Sequence, residues 1–150
     1  MKTKTHMRAI GIDLGDRRVG VAVSNSERTV AVPVEVLIRS GDLHQDMKRL
    51  AKVIHEYEPE IVVVGLPISL SGRFSKQTAR VSSEVKVLSK LVGVEVRLWD
   101  ERYSSKEAER RLRESGLSSK SMRSIADAQA ACVILQSWLD GCARQEIDKD

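Results

Sequence analysis

The first forty residues alternate apolar and polar positions with the two-residue period of a β-strand. Residues 8–14 and 18–24 each carry this pattern, and Gly15 and Asp16 separate them as a turn. A third strand is expected within 29–38. Strands that follow one another through such short turns predict an antiparallel meander at the start of the chain.

The period lengthens to that of an amphipathic helix after residue 41. Leu43, Met47, Leu50 and Ile54 recur at helical spacing, and Pro59 helps to end the helix. The elements predicted after the meander are, in chain order, a helix over 42–57, a buried strand over 61–64, a helix over 81–92, a strand over 94–99, a charged helix over 106–114 and a last helix from Ser124 to about Leu139.

This order of elements, β-β-β-α-β-α-β-α-α, predicts an α/β fold. We expect a mixed five-stranded sheet, antiparallel at one edge and parallel at the other, with helices flanking its faces. A chain of 150 residues has the length of one domain. We assign that domain to 7–140, with a disordered N-terminal tail over 1–6 and a polar C-terminal tail over 141–150.

The composition, 41% apolar and 31% charged, is typical of a globular protein and excludes two classes of protein. No apolar run approaches the length of about 18 residues that spans a membrane, so no membrane partner is expected. Residues 1–6 lack the apolar stretch of a secretory signal. Cys132 and Cys142 do not have the spacing of a zinc site, and we expect free thiols in a cytoplasmic protein.

Acidic side chains at the ends of predicted strands are the candidate catalytic groups. Asp13 ends the first strand, and Asp100 and Glu101 directly follow the strand over 94–99. Asp127 lies in a helix that is apolar nearly all round, where an unpaired carboxylate is costly. Three carboxylates on separate elements predict a site for a hard divalent cation, Mg²⁺ or Mn²⁺, and spacing alone leaves open whether Asp100 or Glu101 contributes.

Basic side chains cluster around these acids in sequence. The net charge is +4, which by itself indicates a nucleic-acid partner only weakly. Solvated helix faces are the alternative interpretation of the same charges. The candidate phosphate-binding residues are Arg17 and Arg18 after the Asp13 turn, Arg102 after Glu101, and Arg73, Lys76 and Arg80 on the way into the second helix.

Six short segments, taken together in their order and spacing, resemble the YqgF/RuvX-type family of pre-16S rRNA nucleases, which are related to Holliday-junction resolvases. The resemblance covers nearly the whole chain, from about Met7 to Asp140. The segments are GIDLG at 11–15, RVGVAVS at 18–24, VGLP at 64–67, WDER at 99–102, DAQAA at 127–131 and ILQ at 134–136.

The resemblance implies an RNase H-like fold and a catalytic, metal-binding site made of Asp13, Glu101 and Asp127. It thereby selects Glu101 over Asp100. It also implies a cytoplasmic hydrolase that trims the 5′ end of the 16S rRNA precursor. The segment 68–72, ISLSG, departs from the Asn-Met-Asp-Gly-like loop that is usual in the family, which bears on substrate preference.

Three other functions compete with rRNA processing. The same fold could resolve branched DNA, or it could bind nucleic acid without cleaving it, although a phosphate-binding module gains nothing from three converging acids. An ATP-binding lobe of the actin or sugar-kinase type has a similar turn after its first strand, but it needs two lobes and this chain has the length of one. The oligomeric state stays open between a monomer and a homodimer.

Overall fold

The computed structural model describes residues 8–68, 72–103 and 128–148, with the side chains of Tyr103 and 143–148 left aside. The described elements are β1 (Ala9–Leu14), β2 (Arg18–Ser24), β3 (Ala31–Ile38), α1 (Leu43–Tyr57), β4 (Ile61–Leu66), α2 (Lys76–Val92), β5 (Glu95–Asp100), a short 3-10 turn (Glu101–Tyr103) and α3 (Gln129–Asp148).

The five strands form one mixed sheet in the order β3-β2-β1-β4-β5. β1 pairs antiparallel with β2, and β2 pairs antiparallel with β3. On the other side, β1 pairs parallel with β4, and β4 pairs parallel with β5. The sequence-based prediction of a mixed sheet, antiparallel at one edge and parallel at the other, is confirmed.

The two faces of the sheet bury different residues because successive strand side chains point to opposite sides. On one face, Ile10, Ile12 and Leu14 of β1 join a core shared with α1 and α2. On the other face, Ala9 of β1 belongs to a second core, which is formed with α3. Because side chains alternate along β1, its odd-numbered residues lie on the face of the sheet that α3 covers.

Helix ends follow the capping signals in the sequence. The Asp42 side chain accepts a hydrogen bond from the backbone of Gln45 and begins α1. Ser75 begins α2 with a reciprocal capping box to Thr78. The Thr78 hydroxyl also donates a hydrogen bond to the carbonyl of Pro67 and ties the start of α2 to the end of β4.

Three elements are longer than predicted. α2 begins at Lys76, where the sequence pattern indicated a helix from Val81. β4 continues through Gly65 to Leu66, where the sequence pattern indicated a turn from Gly65. α3 continues to Asp148, beyond the helix end predicted near Leu139. The predicted helix over 106–114 and the predicted start of the last helix at Ser124 lie outside the described residues.

The sequence also made predictions about membrane-spanning helices and about the two cysteines. None of the helices in the described part of the chain is both long and apolar enough to cross a bilayer. Cys132 and Cys142 are not joined in a disulfide, as the sequence predicts. Burial raises the pKa of the Cys132 thiol to about 12, which keeps it protonated at neutral pH.

Gly11 is the point of closest approach between β1 and α3. A Cβ atom at this position would lie 2.5 Å from Cβ of Leu135 and 2.9 Å from the carbonyl oxygen of Ala131. We expect Gly11→Ala to destabilise the fold by about 1–3 kcal/mol, since the helix must shift to admit the methyl group. Chemical denaturation measures the loss as a lower midpoint at an unchanged slope.

Gly141→Ala is the matched control, because it makes the same chemical change where α3 meets the edge of the sheet. Its Cβ would meet only the ring of Trp99, at 3.2 Å. Alanine also favours the helix by up to about 1 kcal/mol over glycine. A loss at Gly141 as large as the loss at Gly11 would contradict the close contact that we describe.

Candidate active site

Asp13 lies on the face of the sheet that α3 covers, near the end of β1. The side chains of Ile12 and Leu14, its neighbours, point into the opposite core. Ile12 is the last residue of β1 paired with β4, where its partner is Val64. The next residues along the two strands are Asp13 and Gly65, so these lie side by side at the ends of parallel strands, where α/β sheets place their ligand sites.

Glu101 reaches the same place from the end of β5. It opens the 3-10 turn that follows that strand. A Cβ atom built on Gly65 would lie 2.8 Å from Oε1 of Glu101, and it would also collide with the side chain of Ile134 on α3. The absence of a side chain at Gly65 therefore makes room for the Glu101 carboxylate between β4 and α3.

The electrostatics of the two carboxylates indicate that they share one environment. Burial raises the pKa of Asp13 above its ordinary value, and the Arg80 guanidinium partly offsets the rise. Burial also raises the pKa of Glu101, and the charges of Asp13 and Asp100 raise it further. Two neighbouring carboxyl groups whose pKa values are both raised are typical of a site that binds a cation.

Asp100 differs from Glu101 because it already has a cationic partner. Nη2 of Arg102 lies 2.6 Å from one Asp100 oxygen, and the backbone nitrogen of Arg102 donates to the other at 2.9 Å. Hydrogen bonding to the Arg102 side chain is the main reason that the pKa of Asp100 is lowered. Spacing left open which of the two acids contributes, and the geometry favours Glu101, because Glu101 lies beside Gly65 whereas Asp100 is bound by Arg102.

The third predicted acid, Asp127, lies outside the described residues, so its place in the site stays a prediction. Among the residues that the structure does describe, no group of three or more His, Cys, Asp or Glu side chains is close enough to hold a metal ion. Asp13 and Glu101 thus make a pair of hard oxygen donors, of the kind that Mg²⁺ and Mn²⁺ prefer.

The predicted phosphate-binding residues fall into two groups. Arg17, Arg18, Arg73 and Lys76 have exposed side chains near the ends of the strands that carry the acids. Arg102 and Arg80 form ion pairs or hydrogen bonds with other groups of the protein. Arg102 pairs with Asp100, and Arg80 donates to the carbonyl of Leu14 at 2.9 Å and to Glu84 at 3.0 Å.

Sequence reasoning missed the residues that hold Arg80. Glu84 is buried on α2 and accepts two hydrogen bonds from Arg39, of 3.0 and 2.6 Å. The i, i+4 spacing of Arg80 and Glu84 was a readable signal for a helical ion pair. No local signal connects Arg39 with Glu84. Sequence reasoning also did not single out Phe74, the single phenylalanine, whose side chain is exposed.

Comparison with known proteins identifies the family. The family model described as RuvX, Holliday junction resolvase, matches residues 7–141. The chain belongs to the RuvX family. An Anaeromyxobacter protein (strain Fw109-5), named "Putative pre-16S rRNA nuclease", is 40% identical over 135 residues, which cover 90% of this chain and 98% of that protein.

A Rhodococcus opacus (strain B4) protein of the same name is 42% identical over 141 residues, covering 91% of this chain and 79% of that protein. Members of the RuvX family are enzymes of the nuclease class, and this chain is one of them, a hydrolase of phosphodiester bonds. The alignments with these two relatives cover about nine-tenths of the chain.

Solved structures similar to this RuvX chain support its fold class. T. thermophilus RuvC in complex with a Holliday junction substrate superposes with a TM-score of 0.52 at 21% identity, covering 86% of this chain and 92% of RuvC. The ROK hexokinase of Thermus thermophilus gives a TM-score of 0.50 at 20% identity, covering 71% of this chain but 38% of the hexokinase. The fold is RNase H-like, as the sequence resemblance implied.

The pKa of Glu101 generates a stability prediction for this RuvX protein. Its folded-state pKa exceeds the ordinary value of 4.5, so the folded protein holds the proton more tightly than the unfolded chain does. The carboxyl therefore costs stability as the pH rises from about 4 through the raised pKa. We expect Glu101→Gln to raise the metal-free Tm at pH 7 and to have less effect at pH 4. Each kcal/mol gained in the free energy of unfolding should raise the Tm by about 2–4 °C.

Glu35→Gln is the matched control, since Glu35 is exposed on β3 at the far edge of the sheet. The measurement is thermal unfolding in a chelator at both pH values. A Tm for Glu101→Gln that falls at pH 7 would mean that Glu101 is a structural group with a favourable partner, and it would contradict the repulsion described here.

Proposed function

We propose that this protein is a metal-dependent endonuclease that processes the 5′ end of pre-16S rRNA in the cytoplasm. The observation that carries the proposal is the pairing of the Asp13 and Glu101 carboxylates at the ends of parallel strands, where burial raises the pKa of each. The relatives' shared name supplies the substrate.

The donor set fits a hard divalent cation, Mg²⁺ or Mn²⁺. Asp13 and Glu101 offer oxygen atoms only, and burial makes their paired negative charges unfavourable until a cation neutralises them. Asp127 would complete the set as a third carboxylate. A divalent ion held there supplies activation of water and stabilisation of charge on the phosphate.

The chain's own residues have three tasks in this reaction. Asp13 and Glu101 hold their oxygens at the ends of β1 and β5, so the reacting phosphate must approach at this edge of the sheet. Gly65 keeps the space beside Glu101 open, because any side chain would fill it. Ile134 of α3 closes the apolar side of this space, and the lower polarity strengthens the electrostatic interactions within it.

Substrate binding would depend on basic side chains around this face. Arg17 and Arg18 follow the β1 strand that carries Asp13, and Arg73 and Lys76 precede or open α2. Their exposed cationic groups can neutralise phosphates without desolvation of the catalytic acids. We place Arg102 with them as a group that contacts substrate while it restrains Asp100.

Resolution of branched DNA is the second candidate, and the description of the family model favours it. A four-way junction has two-fold symmetry, so this activity would need a homodimer with two active sites. The two candidates therefore differ in both substrate and oligomeric state. Sedimentation of the protein alone and with a junction separates them.

The deciding experiment is a cleavage panel with pre-16S rRNA and a four-way junction in Mg²⁺ or Mn²⁺. We expect the parent protein to cleave the rRNA precursor near the mature 5′ end. Asp13→Asn, Glu101→Gln and Asp127→Asn should each lower the rate by about 10²-fold or more, because each removes a charged oxygen donor while keeping the shape of the side chain. Initial rates at saturating substrate measure the effect.

Asp42→Asn is the matched control for these variants. It makes the same change at an exposed position, and asparagine caps a helix as well as aspartate does. Its rate should equal that of the parent. Near-parental rates for Asp13→Asn would remove the proposed site, and cleavage of the junction alone would favour the second candidate.

The salt dependence of binding tests the basic residues. Each neutralised phosphate contributes a log–log slope of roughly −0.9 for duplex DNA and about −0.7 for single strands. The double variant Arg73→Ala, Lys76→Ala should weaken binding to unrelated sequences alike and make the slope shallower by about one to two. The titration uses Ca²⁺ to suppress cleavage. An unchanged slope would mean that Arg73 and Lys76 are ordinary solvated residues that bind no phosphate.

A further inference from the structure

Arg80 reaches from α2 to the backbone of the turn that follows Asp13. Its Nη2 donates to the carbonyl oxygen of Leu14 at 2.9 Å. Leu14 lies two residues beyond Ile12, the last residue of β1 that is paired with β4. The hydrogen bond from Arg80 therefore holds β1 on the α2 side where the parallel ladder has ended.

The direction of the Arg80 guanidinium is set by a buried carboxylate. Nη1 of Arg80 donates to Oε1 of Glu84 at 3.0 Å. Both Glu84 oxygens also accept from Arg39, at 2.6 and 3.0 Å, and the Glu84 side chain is 8% exposed. One buried anion between two guanidinium groups is a stable arrangement only while both cations stay in place.

Backbone hydrogen bonds hold the segment that carries Arg39 in place. The backbone nitrogen of Arg39 donates to the carbonyl of Arg17 at 2.9 Å, which connects it to the other side of the same turn. Ser40 donates from its backbone nitrogen and its hydroxyl to the buried Asp46 carboxylate, at 3.0 and 2.8 Å. The contacts thus form a closed circuit from Leu14 through α2 and the β3–α1 connection to Arg17.

Close packing does not hold Arg80 in this position. A pocket of about 580 Å³ lies beside it and is bounded by Arg17, Arg39, Asp46 and Glu84 among others. Because the space beside the guanidinium is open, its orientation depends on its polar contacts, which are Glu84, the carbonyl of Leu14 and Oδ1 of Asp16 at 3.2 Å.

We propose that Arg80 is a positioning residue that fixes the Asp13 turn, and that Glu84 and Arg39 hold it in place for this task. The inference rests on the proposed nuclease function for its catalytic consequence. It assigns the Arg80 guanidinium to the protein backbone, whereas the sequence pattern predicted a phosphate contact.

The test compares Arg80→Met, Arg80→Lys and Glu84→Gln with Lys86→Met, a control at an exposed position of the same helix. Two measurements are made on the full chain. Hydrogen exchange reports the protection of the backbone over 14–18 without substrate. Rates at saturating pre-16S rRNA and dissociation constants in Ca²⁺ separate turnover from binding.

A positioning role predicts a loss of turnover without a loss of affinity. For Arg80→Met we expect faster exchange confined to 14–18, a rate at saturation lowered by about tenfold to a hundredfold, and a dissociation constant and salt slope like those of the parent. Arg80→Lys keeps the charge but lacks the fork that reaches two acceptors, so it should recover part of the rate. Glu84→Gln should fall between Arg80→Met and the parent.

The opposite pattern would overturn the proposal. A weaker dissociation constant and a salt slope shallower by about one, with unchanged exchange over 14–18, would make Arg80 a phosphate contact. If Arg80→Met does not fold, the exchange and rate of Arg80→Lys decide the question in the same way. A parent protein that cleaves neither substrate would reject the proposed function, while the exchange measurement would still decide whether Arg80 anchors the turn.

Discussion

The carboxylates of Asp13 and Glu101 repel one another on a face of the sheet that α3 shields from water. Burial is the main reason that both pKa values rise, and the charge of Asp13 adds to the rise at Glu101, so the surrounding structure must hold the two acids together. Parallel strands end side by side and bring their last residues to one place. The glycine at position 65 leaves the volume that Glu101 occupies.

The opposite face of the sheet carries the compensating charges. Arg80 and Arg39 both bind the buried Glu84. Arg80 also donates to the carbonyl of Leu14, and the backbone nitrogen of Arg39 donates to the carbonyl of Arg17, so the turn after Asp13 is held from both sides. Arg80 also acts on the acids, because its guanidinium partly offsets the rise that burial causes in the pKa of Asp13.

The fold by itself does not assign the chemistry. RuvC and a ROK hexokinase both share it with this chain at about one-fifth identity, and sites on a common fold diverge in function. The match to the RuvX family model over 7–141 and the local arrangement of the acids carry the functional argument. Asp100 illustrates the point, because it ends β5 directly beside Glu101, while its contacts with Arg102 already give it a cationic partner.

The sequence by itself determined the elements, the mixed sheet and the acids at its strand ends, because hydrophobic period and capping act over a few residues. It did not determine the extent of α3. Glycine often ends a helix, but Gly141 packs against the ring of Trp99 and the helix continues. Only the tertiary structure decided that Glu101 faces Asp13 and that Arg39 holds Glu84. Those side chains come from separate elements, with Arg39 and Glu84 45 positions apart, and a contact over that separation leaves no periodic trace in the sequence.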